Sequence, residues 1–313
     1  MLLLRKEDIK KTFLMKDAIL SNEKAFKIFE KGKCKIPLRT NISKENDNFL
    51  FMPAYSKEMN SAVLKNVNIF PGNENKNLPT TLSDVLLING ENGLTKAIID
   101  GTYLTQLRTG AATGVAFKHL AKKDCNVGAI IGAGGQSKTQ IEAMLEVKNL
   151  ELIKIFDINF EKAKKLSNIL GDEINQNVKI IPVNSSKEAV IDSDLIVTVT
   201  TSKNPVFSSE HVKKGATISC VGSYQEDMQE MDPTILKKAS KVFFDSKDAV
   251  LEESGDLIIP LKNNTISESE LTGNIGQVLN KSLKGRTNNK EIIIFKTVGI
   301  AIQDLVTAEN IYQ

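Results

Sequence analysis

Histidine is scarce in this chain: His119 and His211 are the only two among 313 residues. That removes the usual proton-transfer side chain at neutral pH and leaves acid–base chemistry to lysine or a carboxylate. His119 lies in a helical stretch of small residues and His211 in a polar one, so both read as structural or solvated. Cysteine is nearly as sparse. Cys34, Cys125 and Cys220 are odd in number, widely spaced and without the paired spacing of a zinc site, which argues against a disulfide scaffold or a metal and suits a reducing, cytoplasmic compartment. No apolar run reaches the roughly 20 residues that a membrane span needs, and the start, MLLLRKEDIKK, carries charge where a signal peptide would be apolar. A net charge of +3 gives no field that would select nucleic acid or an anionic membrane. The expected ligand is small.

What is present favours two domains, since single cores usually stop growing at about 250 to 300 residues. The spacing predicts a helix over Asp17–Lys31, then strands at Ile36–Ile42, Phe49–Tyr55, Ala62–Ile69, Leu82–Asn89 and Lys96–Asp100. Strand directly after strand implies antiparallel pairing. From Thr102 onward helices alternate with apolar strands at Val127–Ile131, Leu152–Phe156, Ile180–Val183, Leu195–Thr198 and Thr217–Val221, with more at Lys241–Phe244 and Glu291–Phe295. That alternation predicts a Rossmann-type, doubly wound parallel sheet beside a smaller α+β domain. A last helix, from about Gly299 to Tyr312, is free to pack back on the first domain. The expected division is 1–115 completed by 297–313, and 116–296. Asn73–Asn77 and Gly285–Lys290 read as polar loops.

The most specific local signal lies at Asn126–Ser137, an apolar strand running into a glycine-rich turn and then a helix over Thr139–Glu146. Gly132 permits the tight turn, Gly134 lets backbone approach a pyrophosphate, and Ser137 is small where helix and strand pack closely. Gly135 and Gln136 complete the turn, and the helix start meets phosphate charge. Asp157 follows 25 residues after Gly132, at the end of the next strand. There a carboxylate accepts hydrogen bonds from the adenosine ribose and repels a 2′-phosphate, so the expected cofactor is NAD. The other role open to Asp157 is to cap the following helix at Asn159. Thr200 and Gly222 sit at the ends of two later strands, where a parallel sheet presents its ligand, on the side expected for the nicotinamide.

Several segments together resemble the ornithine cyclodeaminase and mu-crystallin family: Ile36-Pro-Leu-Arg39, Leu64-Lys65 continuing to Phe70-Pro71-Gly72-Asn73, Leu104 to Thr113 around Arg108, Gly132 to Gln136, Val221-Gly-Ser-Tyr224 and Gly299 to Asp304. The resemblance implies an N-terminal substrate domain completed by the C-terminal helix, a dinucleotide domain between them, and a homodimer joined through the substrate domains. It also implies NAD(H)- or NADP(H)-dependent chemistry at the carbon–nitrogen bond of a small amino or imino acid. Arg39, Lys65 and Arg108 fall where members bind the substrate carboxylate, and Thr80 where members place a hydroxyl. The residue chemistry agrees, because guanidinium forks grip carboxylates. Two arginines and a lysine over-neutralise one carboxylate, and Lys65, crowded by both, should lose basicity and be able to shuttle a proton. Thr109 and the small residues after it read as a helix start that offers donors to a phosphate, or as a tightly packed helix.

The named activity that the resemblance offers first is ornithine to proline with loss of ammonia. At one position the chain departs from it: ornithine cyclodeaminases proper carry an acid–base aspartate two residues after the Val-Gly pair, and here that residue is Tyr224. With an unperturbed pKa of about 10, tyrosine is a poor base at neutral pH. Asp227 and Glu226, just beyond it, are candidate replacements. Ketimine reductase and alanine dehydrogenase activities, which need no second amine, are therefore rivals, as is a non-catalytic, crystallin-like nicotinamide binder. Gln303 and Asp304 lie in the family's C-terminal helix signature, and the two aspartates Asp245 and Asp304 read as caps or packing residues.

Overall fold

In the computed structural model, which describes residues 1–76, 78–174 and 177–313, the chain forms two compact units, Met1–Arg108 with Gly299–Gln313, and Thr109–Val298. The first begins with a short strand β1 (Leu2–Leu4) and helices α1 (Lys6–Thr12) and α2 (Met15–Glu30). Strands β2 (Cys34–Lys35), β3 (Thr40–Lys44), β4 (Asp47–Ser56), β5 (Ser61–Ile69), β6 (Thr81–Asn89) and β7 (Thr95–Asp100) follow. They form a seven-stranded sheet in the order β1-β7-β6-β5-β4-β2, with β3 also on β4. The meander from β3 to β7 is antiparallel, as consecutive strands require, whereas β1 joins β7 in parallel. The strand expected over Ile36–Ile42 is broken: Pro37 has no N–H to give to a ladder, and only Cys34–Lys35 and Thr40–Lys44 pair. The loop expected over Asn73–Asn77 is taken up as far as Lys76 by a 3₁₀ turn, Pro71–Lys76; Asn77 lies outside the described residues.

Period-two alternation assigns the two faces of this sheet. Leu50, Met52 and Ala54 of β4, Val63 and Val67 of β5 and Val85 and Leu87 of β6 are buried. That face lies under the C-terminal helix Ala301–Tyr312, α11 in chain order, which contacts β4, β5, β6 and α2. Ile302, Leu305 and Val306 of α11 are fully buried, each contributing roughly 1.5–3 kcal/mol relative to exposure. A helix buried all round must satisfy its polar groups internally. Gln303 accepts from Ile300 N and donates to Asn22 Oδ1, and Glu309 accepts from Ser61 and Lys96. Asp304 has a different set of partners, described below.

Helix α3 (Gly101–Leu120) carries the chain from the first unit into the second. There β8 (Val127–Ile131), α4 (Ser137–Val147), β9 (Leu152–Phe156), α5 (Phe160–Glu173), β10 (Lys179–Pro182), α6 (Ser186–Val190), β11 (Leu195–Thr198) and β12 (Thr217–Cys220) alternate. Then come α7 (Pro233–Lys238), β13 (Lys241–Phe244), α8 (Lys247–Glu253), α9 (Gly255–Lys262), β14 (Gly273–Asn274), α10 (Ile275–Leu279) and β15 (Ile293–Lys296). The eight strands run β10-β9-β8-β11-β12-β15-β13-β14, all parallel. Ile130, Ile155, Leu195 and Val197 fill the middle of the sheet against Ile141 and Met144 of α4. The strand order reverses between β8 and β11, the switch point beyond whose carboxyl ends doubly wound sheets bind their ligands.

Candidate functional site

A buried charge cluster stands at the centre of the first unit. Lys65 lies on the covered face of β5, opposite Met52 and Val85, and is fully buried. Its Nζ donates to Asp304 Oδ2 at 2.7 Å, while Arg108 Nε donates to Asp304 Oδ1 at 3.0 Å, so one carboxylate holds both cations. Asp304 is fully buried in the first turn of α11, where the helix dipole also favours negative charge. Gly299, at φ +81°, has no room for a side chain: a Cβ there would lie 2.4 Å from Arg108 Nη1. The Gly299 carbonyl accepts from Arg39 Nη2 at 3.1 Å. Arg39, Lys65 and Arg108, far apart in sequence, thus converge on the Gly299–Asp304 segment.

The cluster corrects one expectation and sharpens another. Asp304 is not a cap or a mere packing group but the counterion of Lys65 and Arg108, so the surplus is smaller than three cations imply. Burial pushes the Lys65 ammonium down to about 7, Arg108 pushing the same way and Asp304 opposing. A fully buried amine that titrates near neutrality beside two guanidiniums can bind an anion and exchange a proton. Thr80, in contrast, is exposed on the bend before β6, its carbonyl accepting from Phe70 N.

In the second unit the glycine turn joins β8 to α4. Gly132 adopts φ +105°, and a Cβ on it would lie 2.7 Å from Val199 O; only glycine serves there. Gly134 and Gly135 are exposed, and a Cβ on Gly134 would meet nothing within 4 Å, leaving its backbone open to a ligand. Ser137 Oγ donates to Gly132 O and closes the turn. Gln136 occupies the cap of α4 without bonding it, and its buried Oε1 has no partner among the described residues. These features suit a pyrophosphate over the turn. Asp157 is not the cap of the following helix: Asn159 caps α5, while Asp157 Oδ2 accepts from Ala133 N at 2.7 Å in the glycine turn and Oδ1 from Asn159 N at 2.8 Å.

The helix start expected at Thr109 is absent. Helix α3 begins at Gly101, so Thr109 lies two turns inside it and offers no helix N-terminus to a phosphate. The small residues after it serve packing: a Cβ on Gly110 would lie 2.4 Å from Thr139 O of α4, and Thr113 hydrogen-bonds Ser219 of β12. At the strand ends, Thr200 and Gly222 are gathered by one buried carboxylate, Glu230, which the sequence reading missed because it sits in a loop without a motif. Tyr224 is half-buried just beyond β12. Asp227 is held on the surface in an ion pair with Lys203 at 2.6 Å, and Glu226 faces Lys262 at 3.6 Å. Both have surface partners, and neither has the burial of a tuned catalytic acid. Asp245 packs as expected, accepting from Thr297 Oγ1 and Val298 N.

A doubly wound sheet with this turn and an acidic residue closing the second strand defines a dinucleotide-binding α/β protein. The chain belongs to the ornithine cyclodeaminase/mu-crystallin family, whose sequence profile matches residues 1–313. It is similar to the Δ1-pyrroline-2-carboxylate reductase of Thermococcus litoralis, solved with NADH and L-proline, at 40% identity and a TM-score of 0.96 over 100% of this chain and 96% of that one. An archaeal alanine dehydrogenase dimer with bound NAD is 33% identical, with a TM-score of 0.92 over 99% of this chain and 94% of the other. The Δ1-pyrroline-2-carboxylate reductase of Bacillus cereus is 32% identical over 315 residues, 100% of this chain and 96% of the relative.

Proposed function

We propose that this chain, an NAD-dependent amino-acid oxidoreductase of its family, reduces a cyclic imino acid of the Δ1-pyrroline-2-carboxylate type to the corresponding cyclic amino acid. The observation that carries this reading is the buried Lys65–Asp304–Arg108 cluster with Arg39 beside it. When bound, the dinucleotide supplies the hydride to the imine carbon. Arg108 and Arg39 bind the carboxylate, and Lys65, charged below about pH 7, gives its proton to the ring nitrogen. One hydride and one proton complete the reduction. Ornithine cyclisation needs a further acid–base group for the second amine; Tyr224 stands where that aspartate would be, and Asp227 and Glu226 are engaged with surface lysines. The relatives that carry reductase names at 32% and 40% identity support the same choice. NADH oxidation with the cyclic imine as substrate tests it, against pyruvate plus ammonia as the alanine dehydrogenase alternative. Faster oxidation with pyruvate plus ammonia would transfer the assignment to that activity.

Asp157 is the proposed reader of the adenosine ribose. The parent protein is expected to bind NADH more tightly than NADPH, and Asp157→Ser to lose at least tenfold of that preference, since a carboxylate no longer repels the 2′-phosphate. Dissociation constants for both cofactors check this; an unchanged ratio would remove Asp157 from the role.

A homodimer through the first unit is part of the proposal. The sheet face away from α11 carries the cross-strand row Pro53, Leu64, Leu86 and Ile98, with Tyr55, Ala62 and Ile88 beside it. Leu64 is 37% and Leu82 41% exposed, and apolar rows of this kind mark a surface that associates. Light scattering should give twice the chain mass, and Leu64→Glu with Leu86→Lys should shift it toward one chain. A parent protein that runs as a monomer would contradict the proposal.

A further inference from the structure

Beneath the carboxyl ends of β11 and β12 the second unit buries two carboxylates and one amine. Glu230 is fully buried, and four donors converge on it: Thr198 Oγ1 at 2.9 Å and Gly222 N at 2.6 Å on Oε2, Thr200 N at 2.6 Å and Thr200 Oγ1 at 2.8 Å on Oε1. Asp256, also fully buried, accepts from Glu230 N at 2.7 Å and Met231 N at 2.9 Å through Oδ1, and its Oδ2 lies 3.1 Å from Lys296 Nζ. Lys296 is fully buried at the end of β15 and donates to Ser223 O at 2.7 Å. The chain Thr200–Glu230–Asp256–Lys296–Ser223 ties together the loops that follow β11 and β12.

Burial and the neighbouring Asp256 raise the Glu230 carboxyl above the ordinary range. The hydrogen bonding works against protonation, however. Both oxygens face donors, two of them backbone N–H groups that cannot turn away, and a protonated Glu230 would find an acceptor only by turning a threonine hydroxyl from donor to acceptor. Four donors on one carboxylate favour the ionised form. With Asp256 and Lys296 as a pair, the network holds one surplus negative charge in the buried interior. The core of the sheet could have tied these loops together with neutral groups.

We propose that the surplus charge of the Glu230–Asp256–Lys296 network sets the cofactor's redox-state preference, favouring the positively charged nicotinamide of the oxidised dinucleotide over the neutral ring of the reduced one. This rests on the reading that the Thr198–Thr200 and Gly222 loops face the nicotinamide half of NAD. Glu230 acts through them as a positioning residue: a Cβ on Gly222 would lie 2.0 Å from Thr200 O, so the two loops are in backbone contact and their placement is set jointly. A fixed, buried negative charge beside these loops would favour a positively charged nicotinamide without having to reorganise.

The test is the ratio of dissociation constants for NAD⁺ and NADH, measured without substrate, by calorimetry for NAD⁺ and by cofactor fluorescence for NADH. Glu230→Gln and Asp256→Asn should each weaken NAD⁺ relative to NADH by roughly tenfold, the effect of a unit charge across about 10 Å at an effective dielectric near 20. Lys296→Met should move the ratio the opposite way. If Glu230→Gln does not fold, Asp256→Asn, which removes the same charge while leaving the Thr200 and Gly222 bonds in place, decides the matter. Equal weakening of both dinucleotides, or an unchanged ratio in the folded variants, would reduce the network to a structural tie and overturn the proposal. Failure of the parent to bind either dinucleotide would instead refute the cofactor reading on which it rests.

Discussion

A Lys65→Met protein is expected to bind NADH as the parent does and to reduce a cyclic imino acid roughly a hundred- to ten-thousand-fold more slowly, the usual contribution of a positioned general acid. Methionine fills the lysine's place in the covered face of β5, and Asp304 keeps Arg108 as a partner, so the fold should survive. The pH profile makes the test specific. Lys65 titrates near 7 rather than near its ordinary value of 10.5, and reduction uses the charged form. In the parent, kcat/KM for reduction should therefore hold below about pH 7 and fall as pH rises through it, while oxidation of the cyclic amino acid should show the opposite limb. Both limbs should vanish in Lys65→Met. Persistence of the limb near 7 in the variant would assign the proton to another group.

The second large effect is at Asp304. Asp304→Asn leaves Lys65 and Arg108 buried together without their shared counterion, and breaking a buried pair from one side costs about 3–5 kcal/mol. Thermal unfolding should drop by something on the order of 10 °C. The remaining arginine should also depress the Lys65 ammonium further, moving the reductive limb to lower pH. Adding Lys65→Met to Asp304→Asn should restore part of the lost stability, because one of the two uncompensated charges is then gone. A double variant less stable than either single one would show that the cluster is not held by charge pairing.

Much of the fold could be read from local pattern. Val127–Ile131, Leu152–Phe156 and Leu195–Thr198 are short runs between helices in which only Lys154 and Thr198 are polar, and each is a strand with those bounds. Where the reading failed, a local rule met a longer-range constraint. Pro37 split a strand that its neighbours favoured. The run of small residues after Arg108 suggested a helix start, whereas α3 starts two turns earlier, where Tyr103 N donates to Asp100 Oδ1 and Ser83 N donates to Thr102 Oγ1.

The candidate site was legible to the extent that motif context singled out Arg39, Lys65 and Arg108. Its organising anion was not. Asp304 is one aspartate in the first turn of a helix, where capping is the ordinary explanation, and only the packing of α11 over β5 brings it to Lys65. Gly299 shows the same limit: its left-handed backbone and its contact with Arg108 belong to the folded chain alone. Glu230 had no motif at all, although Thr200 and Gly222, which it binds, had been singled out from their places at strand ends. Tyr224 ran the other way, since a single residue already weakened the ornithine reading before any geometry was available.

The central claim is that the cluster around Asp304 serves a ready-made cyclic imine rather than an open-chain diamine. The direct measurement supplies the purified protein with Δ1-pyrroline-2-carboxylate and NADH in one vessel and L-ornithine and NAD⁺ in another, following nicotinamide absorbance and ammonia in both. Rapid NADH oxidation yielding proline in the first vessel, and no ammonia in the second, is the predicted result. Steady release of ammonia and proline from ornithine, with the imine inert, would contradict it.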